Sequence, residues 1–124
     1  IGEQAEDTKF TGGVFEQEDS GYNGIGYVNF TGRAGWVEWY QENDGAAATN
    51  RLTIRYSATR GSRAALSVNG GEPVPLVTES TSQNRNGWLT ASSVQVFQSG
   101  ANHIRLIVAG DGETKIDELT VVPE

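Results

Sequence analysis

The residues that could carry chemistry in this chain are carboxylates, one imidazole and a set of aromatic rings. Acidic candidates for paired-carboxylate work include Glu16, Glu18, Asp19, Asp111, Glu113, Asp117 and Glu118. Glycoside hydrolysis needs two carboxyls held about 5–9 Å apart. It also needs a deep cleft, for which a domain this small has little volume to spare. His103 is the only histidine. It stands in Ala101-Asn102-His103-Ile104 with no nucleophile motif beside it, which predicts a solvated, outward strand residue and not a member of a Ser–His–Asp triad. The chain has no cysteine, which excludes thiolate catalysis, disulfides and cysteine-ligated metal sites. The pattern is that of a protein that binds rather than catalyses.

Two placements of oxygen donors stand out. Gln4 and Glu6, two apart in Gln4-Ala5-Glu6-Asp7, share one face of an extended segment. Asp117, in Lys115-Ile116-Asp117-Glu118-Leu119, falls on the face of a strand that also carries Leu119 and Val121. That face predicts burial, and a buried carboxylate needs a partner. A calcium ion, which takes six to eight oxygens at about 2.3–2.6 Å, and a salt bridge to Lys115 or an arginine both satisfy it.

The aromatic inventory is generous, with three tryptophans and four tyrosines. In 35–41, Trp36, Glu38 and Tyr40 share one face and Val37 and Trp39 the other, so at least one of the two tryptophans belongs to the core. Trp88 ends a long polar stretch, 78–87, and is either folded back as a plug or presented for binding. Tyr22 and Tyr27 flank the glycine-rich Asn23-Gly24-Ile25-Gly26. Aromatic rings beside amide and charged groups suit sugars, whose axial C–H face stacks on a ring while fixed polar groups bind the hydroxyls.

These residues must be positioned by strands. The chain has 124 residues, enough for one domain spanning 1–124, with 9 Lys and Arg against 16 Asp and Glu and a net charge of −7. That sign argues against nucleic acid, and no apolar run approaches the ~20 residues of a membrane-spanning helix. The chain starts at Ile1 with no leader-like segment, which reads as a mature fragment or an excised module. Leu52, Ile54, Tyr56 and Ala58 alternate with Arg51, Thr53, Arg55 and Ser57, the signature of a half-buried strand. Ala64, Leu66 and Val68 repeat the pattern, as do Ile104, Leu106 and Val108, then Val94 with Val96, then Leu119 with Val121. Asn69-Gly70-Gly71, Ser99-Gly100 and Asp111-Gly112 supply turns. Residues 41–50 read as a polar surface loop. Together these predict an all-β antiparallel sandwich or barrel, the sandwich suiting the length.

Five segments, taken in order and spacing, resemble the family 35 carbohydrate-binding modules and the related family 6. They are Gln4-Ala5-Glu6-Asp7, Gly24-Ile25-Gly26-Tyr27-Val28, Gly35-Trp36-Val37-Glu38-Trp39, Asn86-Gly87-Trp88, and Gly110-Asp111-Gly112 through Ile116-Asp117-Glu118-Leu119. The resemblance implies a jelly-roll sandwich that is monomeric, secreted and non-catalytic, linked to a glycoside hydrolase acting on plant cell-wall polysaccharide. It implies a structural Ca2+ held by the side chains of Gln4, Glu6 and Asp117. It further implies a sugar among the loops at one end of the sandwich, gripped by Tyr27 and Trp88, with Tyr22 nearby and Asn84, Arg85, Asp111 and Lys115 setting orientation. Where the family carries asparagine, this chain has Lys115, a donor-only cation in place of an amide. That change favours a neutral β-1,4-linked backbone such as mannan over a uronic acid, while the charge of Lys115 alone suits an acidic sugar; xylan, uronic-acid-containing glycans and a protein-adhesion sandwich are the alternatives.

Overall fold

The computed structural model describes residues 2–4, 9–17, 22, 26–31, 34–59, 62–76, 87–110 and 112–124, without the side chains of 2–4, 31 and 62. The described residues form strands and no helix. The strands are β1 (Gly2–Gln4), β2 (Lys9–Thr11), β3 (Val14–Glu16), β4 (Tyr27–Thr31), β5 (Gly35–Asn43), β6 (Ala48–Ala58), β7 (Ser62–Val68), β8 (Val74–Leu76), β9 (Leu89–Phe97), β10 (Gly100–Gly110) and β11 (Glu113–Pro123). A six-stranded sheet runs β3-β4-β11-β6-β9 with β1 also paired to β11, and a five-stranded sheet runs β2-β5-β10-β7-β8. Every pairing is antiparallel. The sequence reading of an antiparallel sandwich holds.

Alternation builds the core. Leu52, Ile54, Tyr56 and Ala58 of β6 meet Ala64 and Leu66 of β7, with Ile104, Leu106 and Val108 of β10 between the sheets. Trp39 is in this core and Trp36 is half-buried on the opposite face of β5. Truncating a fully buried leucine such as Leu106 costs roughly 2–5 kcal/mol, because the cavity left behind adds to the lost burial.

Two expectations are corrected. Residues 41–50 are not a loop: β5 continues to Asn43 and β6 begins at Ala48. The Asn43 amide donates to the carbonyls of Ala46 and Gln98 at 3.1 Å each, bracing the short turn by which the chain crosses from the five-stranded to the six-stranded sheet. Val94 and Val96 face outward, at 43% and 63% exposure. Their register decides this, since Ser93 lies opposite Leu52 of the core face while Val94 lies opposite Arg51 of the outer face. The Asn69-Gly70 turn behaves as read, Asn69 (φ 54°) and Gly70 (φ 75°) both taking the left-handed conformation between the paired strands β7 and β8, whereas Asp111 lies outside the described residues.

β11 carries the feature that matters most for function. One edge of it pairs with β6 throughout; the other pairs first with β4, up to Ile116↔Val28, and then with β1, from Glu118↔Gln4. Its register against β6 slips between Ile116 and Glu118. Asp117 is the extra residue of this bulge, and it sits where one neighbouring strand ends and another begins. Bulges re-aim a side chain in this way.

Candidate carbohydrate-binding site

Tyr27 and Asn29 of β4 lie on the opposite face from the core residues Val28 and Phe30, so strand alternation directs them to the outer side of the six-stranded sheet. Yet Tyr27 has 0% exposure and Asn29 4%. Tyr27 is buried outside the main core, beneath an aromatic cluster of its own. Its ring meets Tyr22 at 5.7 Å between centroids and Trp88 at 5.4 Å in an edge-on arrangement. The Lys115 ammonium stands 5.6 Å from the Tyr27 ring centre, and the Arg55 guanidinium lies 5.2 Å over the Trp88 ring. Trp88 itself is half-buried. It is neither sealed in the core nor fully displayed.

A polar network surrounds the rings. The Tyr27 hydroxyl donates to Glu16 Oε1 at 3.1 Å. The Asn29 amide donates to Glu16 Oε2 at 2.9 Å and to Glu113 Oε2 at 3.1 Å. Lys115 Nζ lies 3.6 Å from Glu113 Oε1. On the other side of the cluster, Arg55 Nη1 donates to Asp117 Oδ2 at 2.6 Å. Asp117 is fully buried, as its place with Leu119 and Val121 predicts. The salt bridge considered from sequence is therefore present, and its cation is Arg55.

The structure thus gathers four of the expected residues, Tyr22, Tyr27, Trp88 and Lys115, on one face. Asn84, Arg85, Asp111 and Glu6 lie outside the described residues, as does the side chain of Gln4. The backbone of Gln4 pairs with Glu118, next to Asp117. Glu16, Asn29 and Arg55 join the site without having been singled out for it. Arg55 was readable only as the polar face of a strand, because its meeting with Trp88 and Asp117 depends on pairing across three strands. The bulge left a trace in sequence: apolar positions at Ile116, Leu119 and Val121 are out of step by one residue.

Calcium requires a rich oxygen set. Among the described residues no group of three acidic or histidine side chains could hold a metal. What the structure does offer is one fully buried carboxylate, Asp117, at a gap between strands beside the end of β1. It is the one residue of the expected calcium set whose side chain the structure describes.

His103 points outward as expected, but it is not merely solvated. Its ring stacks on Tyr40 at 5.0 Å and its Nε2 lies 3.1 Å from Glu38 Oε2.

A sandwich with a half-buried aromatic cluster ringed by amide, carboxylate and ammonium groups on a sheet face is built as a carbohydrate-binding module. A solved family 35 carbohydrate-binding module from Clostridium thermocellum is 28% identical and superposes with a TM-score of 0.87, the match covering 100% of this chain and 98% of that one. Other solved modules of the same family superpose as well. The resemblance to the family 35 carbohydrate-binding modules read from the sequence is thus borne out by solved structures of that family. By sequence, a Formosa agariphila protein provisionally named a beta-glucuronidase is 33% identical over 103 residues, 81% of this chain. The exo-beta-D-glucosaminidase of Amycolatopsis orientalis is 30% identical over 122 residues, 95% of this chain. The chain spans only 10% and 12% of the length of these two relatives. No family model matches it.

Proposed function

We propose that this module is a monomeric, secreted targeting domain that holds a linked glycoside hydrolase on plant cell-wall polysaccharide, and that its ligand is a neutral β-1,4-linked backbone such as mannan. The observation that carries the reading is the Tyr22–Tyr27–Trp88 cluster on the outer sheet face. A pyranose packs against the exposed part of the Trp88 indole. Tyr27, wholly buried, holds that indole in place from its edge. Tyr22, Lys115, Asn84, Arg85 and Asp111 orient the sugar hydroxyls. The names of the two sequence relatives support the link to a glycosidase, though both describe much longer proteins.

Local charge supports a neutral ligand. Among the described residues the two cations of the site face carboxylates, Lys115 beside Glu113 and Arg55 on Asp117. Glu16 and Glu113 converge on the same Asn29 amide. A uronate entering here would meet those acids at close range, where like charges repel. Affinity is modest, because each hydroxyl contact replaces one with water and the stacking area supplies the clear gain. Tethering then acts by raising the local concentration of the linked enzyme.

A structural Ca2+ held by Gln4, Glu6 and Asp117 would clamp the first strand against the last. When bound it supplies charge neutralisation for the buried carboxylate. Isothermal titration against manno-, xylo- and galacturono-oligosaccharides tests the function. Heat with the manno-oligosaccharides supports it; no heat with any of them points to an adhesion sandwich instead.

A further inference from the structure

Arg55 links two parts of the sugar-binding face that lie on different strands. Its strand, β6, runs between β11 and β9 in the six-stranded sheet. In register, Arg55 faces Glu118 of β11, the residue after the bulge, and Thr90 of β9. Trp88 stands two residues before Thr90, just ahead of the start of β9, and residues two apart along an extended chain share a face. The half-buried Arg55 side chain therefore reaches the bulge on one side and the indole on the other. Nη1 donates to Asp117 Oδ2 at 2.6 Å, and the guanidinium carbon lies 5.2 Å from the centre of the Trp88 ring.

A guanidinium can serve both partners at once. Its N–H groups lie in its own plane and fork toward a carboxylate, while its flat, weakly hydrated faces suit an aromatic ring. A lysine ammonium is a compact, strongly hydrated centre with no plane to lay on the indole. The two ends of this relay differ in how they are held. Asp117 is fully buried within the bulge of β11, a strand paired along both edges. Trp88 stands beyond the ladder between β6 and β9, which ends at Tyr56↔Leu89. The indole meets Tyr27 edge-on, and Arg55 lies over its face. Contacts from two directions set the orientation of a ring where an edge contact alone leaves it free to swing.

We infer that Arg55 is a positioning residue of the sugar-binding site: anchored on Asp117, it presets the Trp88 indole and fixes the side from which a pyranose reaches the ring. This role rests on sugar binding at Trp88 and adds a source of affinity to it. An indole that is already ordered spares the binding step the cost of ordering it. Asp117, in turn, acts on the sugar site through Arg55 without touching the sugar.

R55K and R55Q test this role in mannan affinity gels and by near-ultraviolet circular dichroism, with W88A giving the share of the indole bands that belongs to Trp88. R55K keeps a charge for Asp117 and loses the plane; R55Q keeps a planar N–H donor and loses the charge, so the buried carboxylate retains a partner in each. Each variant should keep the far-ultraviolet spectrum of the wild type, lose most of the Trp88 share of the indole bands, and bind mannan about fivefold more weakly, the scale of one pre-ordered side chain. Tyr27→Phe separates positioning from plain destabilisation, since it loses the hydroxyl bond to Glu16 and should keep both mannan retention and the indole bands. Should one Arg55 variant fail to fold, the other carries the comparison; loss of fold in both would make Arg55 purely structural and overturn the role. Wild-type retention or unchanged indole bands in a folded variant would overturn it too, as would a Tyr27→Phe protein that loses binding in the same proportion. If mannan does not retard the wild type, the neutral-ligand reading fails, and the indole bands alone decide whether Arg55 positions Trp88.

Discussion

The Trp88 indole and the ring of Tyr27 meet edge-on with their centres 5.4 Å apart, and of the two it is Tyr27 that is completely buried. This division gives the rings different jobs. Trp88 offers surface; Tyr27 supplies the platform. Replacing Tyr27 by alanine opens a cavity beneath the cluster and should cost about 3–5 kcal/mol of stability. Tyr27→Phe keeps the ring and loses the hydroxyl bond to Glu16, so a loss of about 1 kcal/mol is expected with binding largely kept. Chemical denaturation of both variants, paired with titration, checks the order.

The Arg55–Asp117 pair makes a second prediction. Asp117 is fully buried at the bulge of β11 and Arg55 reaches it at 2.6 Å. Arg55→Ala leaves that carboxylate without its guanidinium and should destabilise by about 3–5 kcal/mol, unless bound calcium compensates. Melting of this variant with calcium and with chelator separates the two partners. Chelation should lower the melting temperature of the wild type, and more so that of Arg55→Ala. A melt insensitive to chelator in both proteins would show that Gln4, Glu6 and Asp117 hold no metal.

Much of this fold was legible as alternation. The faces of β6 and β10 follow directly from the spacing of Leu52, Ile54 and Tyr56 and of Ile104, Leu106 and Val108. The outward turn of Val94 and Val96 was not legible, because a strand of mixed small, polar and β-branched residues has no clear apolar face until its register with β6 is known. The same limit applies to the site. Trp88 and Tyr27 announce themselves by ring and loop context, whereas Glu16, Asn29 and Arg55 acquire their roles only through contacts between residues distant in sequence.

Glu38 predicts an acid dependence. Burial raises its carboxyl, but hydrogen bonds from Arg105 and His103 and their charges outweigh this, and its pKa lies below the ordinary carboxylate value. A depressed acid stabilises the fold at pH above its unfolded pKa, and that contribution is lost as pH falls through the folded value. Stability should therefore decline below about pH 4.5. Glu38→Gln should be less stable than wild type at neutral pH, with a shallower loss on acidification. Urea denaturation of both proteins from pH 7 to pH 3 is the measurement.

The central claim, a neutral polysaccharide held by the Trp88 indole, is tested most directly by retention of wild type and Trp88→Ala in mannan affinity gels. The account predicts a retarded wild type and an alanine variant that migrates as in a gel without polysaccharide, at least about tenfold weaker, with the same far-ultraviolet spectrum and a melting temperature within a few degrees. Equal retention of the two proteins would contradict it, as would a wild type that mannan does not retard at all.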